Sequence, residues 1–206
     1  IELGEQVRDY HLAHSGLEHI DTINAMGSLA RYYFYGGRRE DALKLEEELL
    51  AILRKYFGPE HPITINAMNN LAAAHVGAGR EDGLKLQEDV LALARKMNGP
   101  EHPDVLMGML NLGVAYNRAG RHDEAVKVLE QLLTLSREVH GPEHPDTLMA
   151  MNNLAAAYDE ADRQEEALKL REQLLPLYSK VLGPDHPHTI MARTNLTASD
   201  KTGSKW

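Results

Sequence analysis

Between residues 144 and 182 the apolar positions Leu148, Met151, Leu154, Ala155 and Tyr158 recur at steps of three and four, the spacing of a helix with one buried face. Past a short polar turn at Asp162, the residues Leu168, Leu170, Leu174, Leu175 and Tyr178 form a second stripe, so the stretch predicts an antiparallel helix hairpin. We name its halves helix A and helix B. The pattern returns at Ile65, Met68, Leu71, Ala72 and His75, and Gly37, Gly79 and Gly120 stand where the fourth copy has Asp162. Helix B opens each time on a small residue, Ala42, Gly83, Ala125 or Ala167, which lets two helices approach closely.

Each helix A is announced by a Gly-rich turn and a His step, as in Gly141-Pro142-Glu143-His144-Pro145. Pro suits the first helical position, and Asp146 suits the positive helix end. The His falls at 19, 61, 102, 144 and 186, giving spacings of 42, 41, 42 and 42. A fixed period in this range marks stacked two-helix units, none of which buries its apolar face alone. The expected division is 1–18 as the helix B of a partial repeat, then repeats at 19–60, 61–101, 102–143 and 144–185. A half-repeat capping helix at 186–200 and a disordered tail at 201–206 complete it.

Residues 1–18 fit as a helix B because Glu5 and Gln6 stand before His19 as Glu172 and Gln173 stand before His186. An array that opens in mid-repeat is what a piece of a longer protein would show, and its apolar residues Leu3, Val7, Tyr10 and Leu12 are expected to leave that end adhesive, with weak end-to-end self-association. Repeat 61–101 is one residue short between Gly79 and Gly83, so its hairpin turn is expected to be tighter. Gly83 in place of Ala is expected to weaken the helix by about 1 kcal/mol.

Composition narrows the function. Thirty-one acidic against twenty-two basic residues give a net charge of -9, which disfavours nucleic acid and anionic membrane as partners. With no Cys there is no disulfide framework and no thiolate chemistry, and the cytoplasm is the expected compartment. Five of the eleven His recur once per repeat and read as helix-start residues, not as ligands of one metal ion; no metal or cofactor is expected. Met26, Met68, Met109 and Met151 share one repeat position and read as core. Acid pairs such as Glu46-Glu47 and Glu165-Glu166 read as solvated helix faces. No phosphate loop, nucleophile elbow or zinc-protease motif occurs, so the chain is not expected to be an enzyme.

The string Met-Asn-Asn-Leu-Ala, a Tyr four residues after that Leu, a Gly four further on and an Ala opening helix B resemble tetratricopeptide repeats. The Gly-Pro-(Glu/Asp)-His-Pro step is similar to the 42-residue kinesin light chain-like subtype, found also in microbial and fungal multidomain signalling proteins. The resemblance covers roughly residues 1–200. It implies a right-handed α-solenoid of antiparallel helix hairpins that acts as a non-enzymatic protein-protein interaction scaffold, with a peptide or protein segment lying extended along helix A in a concave groove. The alternative it implies is a sensor or autoinhibitory segment of a larger signalling protein, an NTPase-type immune receptor or Ser/Thr kinase, contacting its own neighbouring domain.

By that resemblance the groove carries Asn69, Asn70, Asn111, Asn152 and Asn153 from the family string, together with Arg31, Phe34, Tyr35, Asn117 and Arg118. Asn offers both a donor and an acceptor, which suits the backbone of an extended ligand and equally suits a bond that fixes repeat stacking. Arg31, Phe34 and Tyr35 turn away from the Leu29, Ala30 and Tyr33 core face, whereas later repeats place smaller or polar residues there, ending at the acidic Asp159 and Glu160. Aromatics beside an Arg make the first repeat the expected anchor for an apolar ligand side chain.

Overall fold

The computed structural model describes residues 1–203, and among these it holds ten helices and no strand. They are α1 (Glu2–Ser15), α2 (Ile20–Tyr35), α3 (Arg39–Phe57), α4 (Pro62–Gly77), α5 (Asp82–Asn98), α6 (Pro103–Arg118), α7 (His122–His140), α8 (Pro145–Glu160), α9 (Gln164–Val181) and α10 (Pro187–Gly203). The final helix runs past the expected boundary at 200, since no Gly or Pro stops it between Pro187 and Gly203. The remaining tail positions, 204–206, lie outside the described residues. The chain divides into two compact units, Ile1–Leu93 and the residues from Ala94 onward.

The repeated His has a local cause. Nδ1 of His19, His61, His102, His144 and His186 accepts the backbone N–H two residues on, at 3.2 to 3.3 Å, and so satisfies one orphan donor of the helix that follows. Thr22, Thr147 and Thr189 complete the turn, each donating its hydroxyl to the carbonyl of the Gly six residues earlier, at 2.7 to 2.8 Å. These buried Thr lock the loop to the helix it precedes.

Each unit builds its core from both sides of its helices B. In the first, Ile23, Met26, Leu29, Ala30 and Tyr33 of α2 pack against Ala42, Leu45, Leu49 and Leu53 of α3. The other side of α3, at Leu43 and Leu50, meets Met68 and Leu71 of α4 and Val90 of α5. In the second unit Met109, Leu129, Leu148, Met151 and Leu174 are fully buried, each contributing about 1.5 to 3 kcal/mol through transfer from water. The recurring Met is core, as its position in the pattern predicts.

A polar stitch joins α2 to α1 and α8 to α7. Tyr33 donates its hydroxyl proton to Glu5 at 2.6 Å, and Tyr158 donates to Glu130 at 2.7 Å. Arg38 and Arg163 lie over those two rings, 4.3 and 4.5 Å from their centroids. In α4 the same place holds buried His75, whose Nε2 stands 3.4 Å from the Glu47 carboxylate while its Nδ1 is buried without a partner.

The short repeat departs from expectation. Its hairpin turn is longer, not tighter: residues 78–81 separate α4 from α5, four against the three of 36–38, 119–121 and 161–163, and α5 is cut to 17 residues. The backbone bond that closes the turn, from Arg80 N–H to the His75 carbonyl at 2.9 Å, matches Arg38 to Tyr33 and Arg163 to Tyr158, so the turn cannot give up a residue. The loss falls instead on the first turn of α5, drawn into three-residue bonds from Gly83 to Arg80 and Leu84 to Glu81. That draws Gly83 against α4, where a Cβ would lie 2.7 Å from Val76 N and 2.8 Å from the Ala72 carbonyl oxygen. Gly83 is therefore a packing requirement, and the expected weakness relative to Ala is reversed.

One exchange of bulk is confined to the first unit. Gly4 is the buried residue of α1, and a Cβ there would stand 3.0 Å from the Tyr32 ring. At the Gly4 position of later helices B stand Glu46, Gln87, Leu129 and Arg171, and at the Tyr32 position stand Ala74, Ala115 and Ala157.

Candidate binding site

In the second unit α6 and α8, two helices A, lie directly against each other. Between them is a pocket of about 310 Å³ lined by Gly113, Val114, Asn117 and Arg118 of α6, Leu129 of α7, and Asn153, Ala156 and Glu160 of α8. Its floor exists because Gly113 replaces the Ala30, Ala72 and Ala155 of the other repeats: a Cβ at Gly113 would fall 2.6 Å from Leu129 Cγ. Leu129 in turn is the large apolar member of a column that otherwise holds Gly4, Glu46, Gln87 and Arg171.

The polar wall is partly committed. Asn117 Oδ1 lies 2.8 Å from His122 Nδ1, and Asn153 donates to the Met149 carbonyl at 2.9 Å, one turn back on its own helix. The side-chain oxygen of Asn153 stays available, and exposed Arg118 and Glu160 have no partner among the described residues. The pocket thus offers an apolar floor, an amide oxygen and one charge of each sign. Asn111, on the same helix A face, is exposed with no partner among the described residues, and Asn152 is half-buried.

In the first unit Phe34 and Tyr35 are 47% and 83% exposed and contact each other edge to face at 5.6 Å, so they are not core. Arg31 is exposed beside them in sequence. Asn69 accepts from buried Gln87 at 3.3 Å, which ties α4 to α5, while Asn70 is exposed. None of these five lines the larger cleft of about 490 Å³ in this unit, which lies between α1 and α2 and is bordered by Leu3, Gly4, Val7, Asn24, Ser28 and Tyr32.

The floor column shows what reading single repeats misses. Glu46 is not a solvated acid: its Oε2 is buried with no partner, and burial pushes its carboxyl above the usual range. Glu166 behaves oppositely, held low by its hydrogen bond with Arg163. Comparing each column down all repeats would have singled out Gly113 and Leu129 as departures.

The tetratricopeptide repeat family model matches residues 21–83, 78–135 and 107–180. The chain is a tetratricopeptide repeat protein. Among solved structures it is similar to the nearly identical TPR-like repeats of a kinesin light chain-like protein from Podosopora anserina, at 32% identity over 87% of this chain and 85% of that one, with a TM-score of 0.80. It shares its fold with BtubC from P. vanneervenii, at 20% identity over 90% of this chain and 82% of that one and a TM-score of 0.69. It shares it too with a signal transduction ATPase with numerous domains from Pyrococcus horikoshii, at 16% identity and a TM-score of 0.68, covering 98% of this chain and 33% of that one. No curated protein matches in sequence. This tetratricopeptide array therefore has the all-α solenoid architecture of a family of generally non-enzymatic interaction scaffolds, in its kinesin light chain-like form. No described helix is long and apolar enough to cross a membrane.

Proposed function

We propose that this array of four complete repeats flanked by half repeats binds a protein or peptide segment along its helices A, and that the second unit seats a ligand side chain in the pocket above Gly113 and Leu129. The observation that carries this reading is the pocket itself: an apolar floor beside Arg118 and Glu160, two opposite charges with no partner among the described residues. A peptide with an apolar residue between an acidic and a basic one complements it. In the first unit exposed Phe34 and Tyr35, near Arg31 in sequence, are a separate anchor of the type that dominates binding energy. The net charge of -9 argues against nucleic acid as the partner.

Selection of a random-peptide display library on the whole chain tests the reading. Binders should lose about tenfold or more in affinity to Ala156→Arg, which fills the pocket from an exposed position, and to Arg118→Glu, with melting temperature unchanged. Binders that hold the parent and both variants equally would place the ligand elsewhere.

A sensor role is the second reading. The Pyrococcus horikoshii ATPase is described as having a tetratricopeptide repeat sensor, and the same helix A surfaces would then face a neighbouring domain. Self-association through α1 belongs to the same proposal, because Leu3, Val7 and Tyr10 are exposed along one side of that helix.

A further inference from the structure

We propose that His140, His144 and Asp146 form a binding site for a divalent transition-metal ion of the zinc class. His140 ends α7, Gly141 turns the chain at φ 87°, and His144 and Asp146 open α8. Each offers one ligand atom, these atoms all lie within 4.8 Å of one another, and they make the one such group of three among the described residues. The Asp146 Oδ2 atom stands close to both imidazoles, 3.9 Å from His140 Nε2 and 3.6 Å from His144 Nδ1. The two imidazoles stack, with centroids 4.4 Å apart and planes 21° from parallel. Glu143, between them in sequence, is turned away to Lys180 at 2.5 Å.

The other helix starts act as internal controls. Every one has the capping His, yet the His140 position holds Ser15, Phe57, Asn98 and Leu182 elsewhere. Capping therefore does not need His140, as the intact caps of His61 and His102 show. The Asp146 position holds Asp21, Ile63, Asp104 and His188, so two His and one Asp coincide only here. Two imidazole nitrogens and one carboxylate oxygen suit zinc and its first-row neighbours, whereas calcium and magnesium prefer oxygen alone. Bonds of about 2.0 to 2.2 Å require the ligand atoms to close by on the order of 1 Å. The side chains of His144 and Asp146 are 42% and 51% exposed and can make that movement.

Binding carries a specific signature. His144 Nδ1 accepts the Asp146 N–H at 3.2 Å, and a neutral imidazole has one nitrogen lone pair. Coordination through either ring nitrogen therefore releases the Asp146 amide, and it displaces any proton held on the ligand atoms.

The test is titration of the whole chain with Zn²⁺, followed by calorimetry and by amide NMR. One site is expected, with the Asp146 amide resonance moving on saturation. His140→Phe copies Phe57, which already packs against His61 with centroids 5.1 Å apart, and should weaken that site by roughly tenfold or more without changing the metal-free melting temperature. His140→Asn copies Asn98 and decides the matter should the Phe variant misfold. Asp146→Ile copies Ile63 and should lose affinity likewise. Affinity within about twofold of the parent in a folded His140 variant, or an unmoved Asp146 amide at saturation, overturns the site.

Discussion

Tyr158 of α8 donates its hydroxyl proton to Glu130 of α7 at 2.7 Å, across 28 residues of sequence. Burial first, and then that hydrogen bond, push the phenol from 10.0 up to about 12. The folded chain thus holds this proton more tightly than the unfolded chain does. Its contribution to stability is complete below pH 10 and is lost as pH rises toward 12. Because Glu130 is half exposed, solvent screening keeps the contribution to about 1 kcal/mol. Tyr158→Phe should cost about that much at pH 7 and flatten the alkaline limb of a urea-denaturation series; an unchanged limb would show the stitch to be ornamental.

Gly83→Ala should destabilise the first unit by about 1 to 3 kcal/mol, although Ala is the better helix former. The clash is with α4 backbone, at Val76 N and the Ala72 carbonyl, which no side-chain rotation relieves. Denaturation of the single variant measures it, and a gain in stability would sink the packing account of the short repeat.

Asp162 is, among the described residues, the non-Gly one with positive φ, at 57°, where the other hairpins have Gly at 70 to 80°. Asp162→Gly should leave stability level or raise it by up to about 1 kcal/mol, and Asp162→Ala should lower it by about 1 kcal/mol. Reversal of that order in thermal melts would mean that the Asp side chain, not the backbone, carries the turn.

The fold was legible because three independent signals agreed in every repeat: the spacing of three and four, the His start, and a Gly or Asp at each reversal. The site was less so. A pocket floor depends on which residue of one helix B meets which residue of the neighbouring helix A, and Gly113 and Leu129 are ordinary until they are compared with their columns. The error at Gly83 has the same origin, since helix propensity describes an isolated helix and the distance to α4 is tertiary. Glu46 looked solvated for want of knowing what lies over it.

Phe34→Ala should change stability by less than about 1 kcal/mol, because the ring is 47% exposed, yet weaken a partner that uses the first unit by about 2 kcal/mol. A large fall in melting temperature with affinity per folded molecule intact would make the ring structural instead.

Leu3 is 72% exposed on α1, with Val7 and Tyr10 beside it. Sedimentation of the whole chain should show weak association that grows with concentration and disappears in Leu3→Glu with Val7→Glu. A parent that stays monomeric throughout would refute adhesion through α1.

Gly4 and Tyr32 give the array an order as well as a period. Copying residues 19–60 to a later place would set the Tyr32 ring against Glu46, Gln87 or Leu129, where the chain now has Ala74, Ala115 or Ala157. Two large side chains would then compete for the room that one occupies, at about 1 to 3 kcal/mol for each misplaced unit. Units that share one backbone are therefore not interchangeable, and shuffling or duplication of this array by recombination is constrained unit by unit through the bulk of two side chains.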